Sequence, residues 1–369
     1  MGIALVDSKR YKFELCFGLR CNYRCRYCFQ PLSDEELTRT EVTLEHIARY
    51  AEYIKYVKAK LDPSYRYCVA AVGGESLLYM DKMLYFAKLV KDDISLFNTV
   101  TNGSLIRQKL PHLLEMRKLY GRAFVPMVSY DFCFQNMTRQ PGSYQTIRDN
   151  IRLLAARGFP SICISVFDRE TLPRMDEWFE DFLQLKEKIP SLVVKFNLAR
   201  GYRVFAGLDE EKTRRALEKV QAHLKADSTL QESFFYNPAF GYRTTTLKDA
   251  FVGDIMVGMT LAGDMYPGYD VPFCPEPVRN AMRFGHISDD FAAIDARREA
   301  VLAETKKHLP LQKCYDCPAV CRVLPWSSMK ESMDEYNRVD DETHCYVHKL
   351  VSEYISHRKV FDAEVMSDA

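Results

Sequence analysis

Cys21-Asn22-Tyr23-Arg24-Cys25-Arg26-Tyr27-Cys28 is the stretch that decides how this chain is read. It sets three thiols close together, directly after an apolar run from Phe13 to Leu19. Thiolates are soft ligands that suit zinc and iron–sulfur clusters. Three of them leave a tetrahedral ion or a cubane cluster one ligand short. A structural site closes that position, whereas a site that does chemistry keeps it open. The sequence on either side must say what fills the fourth place.

Working outward, short apolar runs alternate with helix-like stretches up to about residue 200. The runs cover residues 12–18, 66–72, 95–101, 123–130, 160–167 and 191–198. Between them, 41–61, 81–91, 107–119, 143–157 and 172–188 have helical spacing. In the first of these, Leu44, Ile47, Ala51, Ile54 and Val57 share a face, and Thr43 is placed to cap it. Six strand–helix units imply an α/β fold, a parallel sheet joined by right-handed crossovers. The strand ends carry polar signals: the cysteines after the first, Gly73-Gly74-Glu75 after the second, Asn102-Gly103 after the third, Ser129 and Asp131 at the fourth. The carboxyl ends of such strands form the active-site face. Turn residues and a helix cap explain the same letters one at a time.

Beyond residue 205 the texture changes. A charged helical stretch, 208–226, leads into the aromatic segment Phe234 to Arg243, read as packing between domains or as a peptide-binding surface. Residues 251–290 are rich in Gly and Pro and read as hairpins, including Thr260 to Tyr266. The expected division is 1–205, a bridge over 206–250, and a Cys-rich unit over 251–369.

The charge balance is 51 Lys and Arg against 50 Asp and Glu, which gives no reason to expect nucleic acid or a membrane surface as partner. No apolar run reaches 18 residues and no signal-peptide core opens the chain, so a soluble cytoplasmic protein is expected. In that compartment, 12 cysteines favour metal ligation over disulfides.

The cysteine loop after strand one, with Gly-Gly-Glu after strand two, resembles the radical S-adenosylmethionine (radical SAM) superfamily over roughly residues 10–200. An aromatic before the third cysteine, Tyr27, fits that pattern. The resemblance implies a partial (β/α)6 TIM-like barrel. It implies a [4Fe–4S] cluster held by Cys21, Cys25 and Cys28, with S-adenosylmethionine filling the fourth place. Tyr27, Gly73, Gly74, Glu75, Ser129, Asp131 and Arg139 are the implied S-adenosylmethionine contacts. Arg148 is a second candidate for its carboxylate, and Ser165 and Asn197 are lesser contacts.

Cys314, Cys317, Cys321 and Cys345 form a second set, large enough to close a site. On spacing alone a structural zinc ribbon fits. Beside a radical SAM domain the region resembles the SPASM extension, with Cys-x3-Cys and Gly268 standing where the usual pattern has further cysteines. That resemblance implies one auxiliary [4Fe–4S] cluster, with Cys274 either a spare thiol or a substitute ligand. It also implies a peptide-modifying maturase: a 5′-deoxyadenosyl radical abstracts hydrogen from a ribosomally made peptide, leading to an oxidative thioether or carbon–carbon crosslink. A flavodoxin or ferredoxin is the implied electron donor. The other readings are a radical SAM dehydrogenase or epimerase of a small polar metabolite, and a non-enzymatic zinc or iron–sulfur protein. Cys133 is a candidate hydrogen-atom donor. No acid or base is assigned.

Overall fold

The computed structural model describes residues 10–28, 30, 41–61, 63, 65–199, 204–236, 256–269, 271–273, 276–307 and 346–355. Cys274, Cys314, Cys317, Cys321 and Cys345 lie outside the described residues, as does the aromatic segment beyond Tyr236.

Six strands follow the expected runs: β1 (Arg10–Cys16), β2 (Arg66–Val72), β3 (Leu96–Thr101), β4 (Phe124–Ser129), β5 (Ile162–Phe167) and β6 (Val193–Leu198). The helices between them are α1 (Leu44–Lys60), α2 (Met80–Val90), α3 (Ile106–Tyr120), α4 (Tyr144–Ala156) and α5 (Met175–Lys188). Neighbouring strands pair in parallel and in sequence order, as in a partial TIM barrel.

Thr43 caps α1, its hydroxyl accepting from the His46 N–H at 3.1 Å. Ile47, Ala51, Ile54 and Val57 are buried, but Leu44 is 53% exposed. It sits in the first turn, ahead of the packed face. Tyr50 and Tyr53 take its place in the core.

Two elements differ from the expectation. Phe234–Tyr236 forms a seventh strand, β7, parallel to β6, reached through α6 (Glu210–Ala226). Phe234 is fully buried among Trp178, Phe179, Phe182 and Phe196, so this aromatic is core rather than binding surface. On the other edge, β8 (Met256–Met259) pairs with β1 in parallel, then turns into an antiparallel hairpin with β9 (Asp264–Tyr266) and on to β10 (Gly285–His286). The hairpin predicted over Thr260 to Tyr266 is therefore present, but its first strand extends the barrel sheet.

Side-chain alternation divides the sheet into two faces. Val69, Phe97, Phe124, Cys163 and Val194 pack outward in the main core beneath the helices. Cys68, Leu96, Val125, Ile162 and Val193 form a smaller apolar floor on the inner face. Two and four residues further along, the inner positions of β3, β5 and β6 are only half-buried. The interior therefore opens toward the carboxyl ends of the strands. By this register Asn98, Met127, Ser129, Lys195 and Asn197 line it, with Lys12 and Glu14 of β1.

Candidate active site

The segment 18–28, which carries the cysteine loop, lies across the strand ends and is tied to four of the strand-end regions. From β2, the N–H of Gly74 donates to the Gly18 carbonyl at 3.0 Å, and that of Glu75 to the Arg20 carbonyl at 2.8 Å. From β3, the Asn102 amide donates to the Asn22 side chain at 2.7 Å and points at the Cys21 sulfur, 3.9 Å away. From β4 and the turn after it, the Thr138 carbonyl accepts the Arg26 N–H at 2.9 Å. From the end of β5, Asp168 accepts two bonds from the Arg26 guanidinium, at 2.6 and 2.8 Å.

The glycines act first within the protein. A Cβ on Gly74 would stand 2.3 Å from the Arg20 carbonyl oxygen and 2.4 Å from that of Leu19; one on Gly73, whose φ is +134°, would stand 2.4 Å from the Gly18 oxygen. Real side chains do not make such contacts, so these residues are glycine because the cysteine loop packs onto their backbone. Glu75 is fully buried and accepts from the Leu77 N–H (3.0 Å), the Thr101 hydroxyl (2.6 Å) and the Asn102 N–H (2.7 Å). Burial raises its pKa, and those three donors oppose the shift.

Asp131, 1% exposed, is equally occupied. Its carboxylate accepts from Tyr27 Oη, Thr138 Oγ1 (2.6 Å), the Val166 N–H (3.0 Å) and Arg139 (3.3 Å). Arg139 lies 5.2 Å above the Tyr27 ring and reaches toward the Cys25 sulfur at 3.9 Å. Burial alone would lower the Arg139 pKa; Asp131, Tyr27 and Cys25 more than offset it, so the guanidinium stays charged. Burial raises the Tyr27 pKa, which keeps the phenol a donor to Asp131.

Each thiol has a distinct setting. Cys21 receives the Tyr23 N–H at 3.5 Å, and burial raises its pKa. Cys25 is pushed up to about 11 by burial, against the Arg139 charge. Cys28 is exposed, and among the described residues its sulfur receives no hydrogen bond. The three are near enough for Cys25 to feel the charge of both others. Among the described residues no three Cys, His, Asp or Glu side chains are gathered tightly enough for a single metal ion. Ligands to three different irons of a cubane stand further apart than ligands to one ion. Donor type and one-sided exposure thus suit a [4Fe–4S] cluster with an open iron.

Of the remaining expected contacts, Ser129 and Asn197 face the interior. Ser165 does not: it faces the helix layer and donates to the Tyr130 carbonyl across to β4. Arg148 is removed as well, because it is ion-paired with Asp181 and bonded to the Tyr144 hydroxyl at 2.9 Å. Cys133 is exposed and lies within the charge field of Asp181, Glu177 and Arg174. Arg26 and Asp168 escaped the sequence reading, and Asn102 was marked only as a strand-end polar residue without its partner. A polar residue at each strand end was the available signal, but its partner 80 or 142 positions away is visible only in the fold.

With fold and site in place, the relatives are informative. The chain has the fold of native anSMEcpe with bound AdoMet, at a TM-score of 0.67 over 97% of this chain and 100% of that one, with 15% identity. It also aligns with SuiB of Streptococcus suis bound to precursor peptide SuiA, at a TM-score of 0.58, 13% identity, and 86% of this chain against 71% of that one. Residues 15–182 match the family model of the Radical SAM superfamily. One curated relative, GTP 3′,8-cyclase of Aliarcobacter butzleri (strain RM4018), is 38% identical over 90 residues, spanning 24% of this chain and 25% of that protein. Among the described residues no helix is long and apolar enough to cross a membrane.

Proposed function

We propose that this chain is a radical SAM enzyme acting on a ribosomally made peptide, with oxidative crosslinking as the outcome. The observation that carries the reading is the three-thiol segment tied to four strand-end regions above an open interior. Cys21, Cys25 and Cys28 would hold a [4Fe–4S] cluster whose open iron takes S-adenosylmethionine, and that pair, reduced by an external donor, would supply one-electron radical chemistry.

The chain's own part is holding and shielding. Asn102 and the Tyr23 N–H steady Cys21. Arg139, locked by Asp131, brings a fixed positive charge to Cys25 and to the carboxylate of the cosubstrate. Tyr27 is held by the same Asp131, and its fixed ring would pack near the adenine. The backbone at Gly73 and Gly74 would offer its remaining carbonyl capacity to the methionyl ammonium. The substrate C–H must then be held against the radical carbon by the inner residues, where Lys195, Asn98 and Asn197 supply polar contacts.

The peptide class is supported by the likeness to a structure with precursor peptide SuiA and to anSMEcpe with AdoMet and Cp18Cys peptide. The auxiliary cluster on Cys314, Cys317, Cys321 and Cys345, and the flavodoxin or ferredoxin donor, belong to the same proposal. The short match to GTP 3′,8-cyclase favours a second reading, a small polar substrate such as a nucleotide. Anaerobic turnover with candidate peptides and with GTP decides between them by product mass. Loss of two hydrogens from a peptide supports crosslinking, and conversion of GTP alone overturns it.

A further inference from the structure

The three thiols are not equally supported. Cys21 has a side-chain donor from the end of β3, and Cys25 one from Arg139 in the segment after β4, at 3.9 Å in both cases. Cys28 has none among the described residues, and its backbone N–H returns only to the Cys25 carbonyl at 3.0 Å. Its position must come from the chain that follows. Two residues on, the Gln30 amide nitrogen donates to the Gly73 carbonyl at 2.9 Å and to the hydroxyl of Tyr269.

Tyr269 comes from the far end of the sequence, three residues past β9. Its own N–H donates to Glu14 Oε2 at 2.8 Å, on the inner face of β1. The backbone before it is wedged: a Cβ on Gly258 of β8 would come within 3.0 Å of Gly268. The hairpin is fixed to β1 by the β8 pairing, so Tyr269 is a rigid post rather than a free side chain.

We propose that Tyr269 is a positioning residue for the radical-generating site: through Gln30 it fixes the arm that carries Cys28 and the carbonyl of Gly73. The C-terminal hairpin thereby couples to the cluster cradle by a side-chain relay. This rests on the reading of Cys21, Cys25 and Cys28 as cluster ligands.

The test uses the full chain, reconstituted anaerobically, as wild type, Tyr269→Phe, Gln30→Leu and the double variant. Bleaching of the visible absorbance by a chelator measures how firmly the third ligand is held. Each single variant should start with wild-type iron content and bleach roughly five-fold faster, the factor expected for one lost hydrogen bond. The double variant should be no faster than the faster single, because both cut the same relay. The paramagnetic spectrum of the reduced cluster on adding S-adenosylmethionine should shift less in Tyr269→Phe than in wild type, which a loss of general stability would not cause. Wild-type bleaching in either single variant, or additive effects in the double, overturns the relay. A wild-type protein that takes up no iron defeats the ligand assignment and this inference with it, and is told apart by failing before any variant is compared.

Discussion

Gly74→Ala separates two uses of the strand-two glycines. The φ of Gly74 is not among the positive values, so alanine meets no backbone penalty there. What it meets is the loop: its Cβ would stand 2.3 Å from one backbone oxygen and 2.4 Å from another. An ordinary contact needs about 1 Å more, and backbone atoms cannot swing aside as a side-chain tip would. Moving the loop by that amount breaks the 3.0 Å bond from Gly74 to Gly18 and the 2.8 Å bond from Glu75 to Arg20. Two hydrogen bonds at about 1 kcal/mol each, with about 1 kcal/mol of overpacking, give a loss of roughly 3 kcal/mol. The assay is denaturant unfolding of the metal-free protein. If the glycines served only to admit S-adenosylmethionine, the metal-free protein would lose nothing. An unchanged unfolding midpoint in Gly74→Ala therefore refutes the packing argument.

Other substitutions test other parts. Asp131→Ala leaves the Arg139 charge, the Val166 N–H and the Tyr27 hydroxyl without this acceptor, while Thr138 keeps the Phe134 carbonyl; a loss of about 3–5 kcal/mol is expected in thermal or denaturant unfolding. Phe234→Ala should cost about 3–5 kcal/mol as a core aromatic and leave peptide affinity unchanged, whereas weaker peptide binding at wild-type stability would restore this aromatic to a binding surface. Burial pushes the Cys16 thiol up to about 12 from 9.0, so the unfolded chain releases its proton first as pH rises. Its stabilising contribution is complete below 9 and is lost as pH climbs toward 12, so metal-free protein should unfold progressively more easily across that window, and Cys16→Ser should flatten the decline.

Much of the fold was legible because hydrophobic period is a local signal. All six expected strands and the helices between them lie within a few residues of their predicted spans. β7 was missed because its aromatic triplet follows a charged helix and carries no alternation of its own; only the ring cluster around Trp178 identifies it. The parallel pairing of β8 with β1 joins residues more than 240 positions apart, and nothing local encodes it.

At the site, residue types pointed to the correct loop but not to the division of labour. Glu75 and Asp131 looked like cosubstrate contacts from their places at strand ends. Their carboxylates receive several protein donors each: Glu75 joins the ends of β2 and β3, and Asp131 joins the end of β4 to Tyr27 of the loop. Ser129 and Ser165 both sit on strands beside the mouth, yet strand parity sends one inward and the other outward. A sequence reveals parity only when the exact register is known.

Anaerobic reconstitution with iron, sulfide and reductant, followed by an assay for 5′-deoxyadenosine, tests the central claim most directly. The wild-type protein should turn brown and form 5′-deoxyadenosine from S-adenosylmethionine, and the Cys21→Ala, Cys25→Ala and Cys28→Ala variants should form none. A colourless protein that holds zinc tightly, or cleavage that survives loss of these thiols, would contradict it.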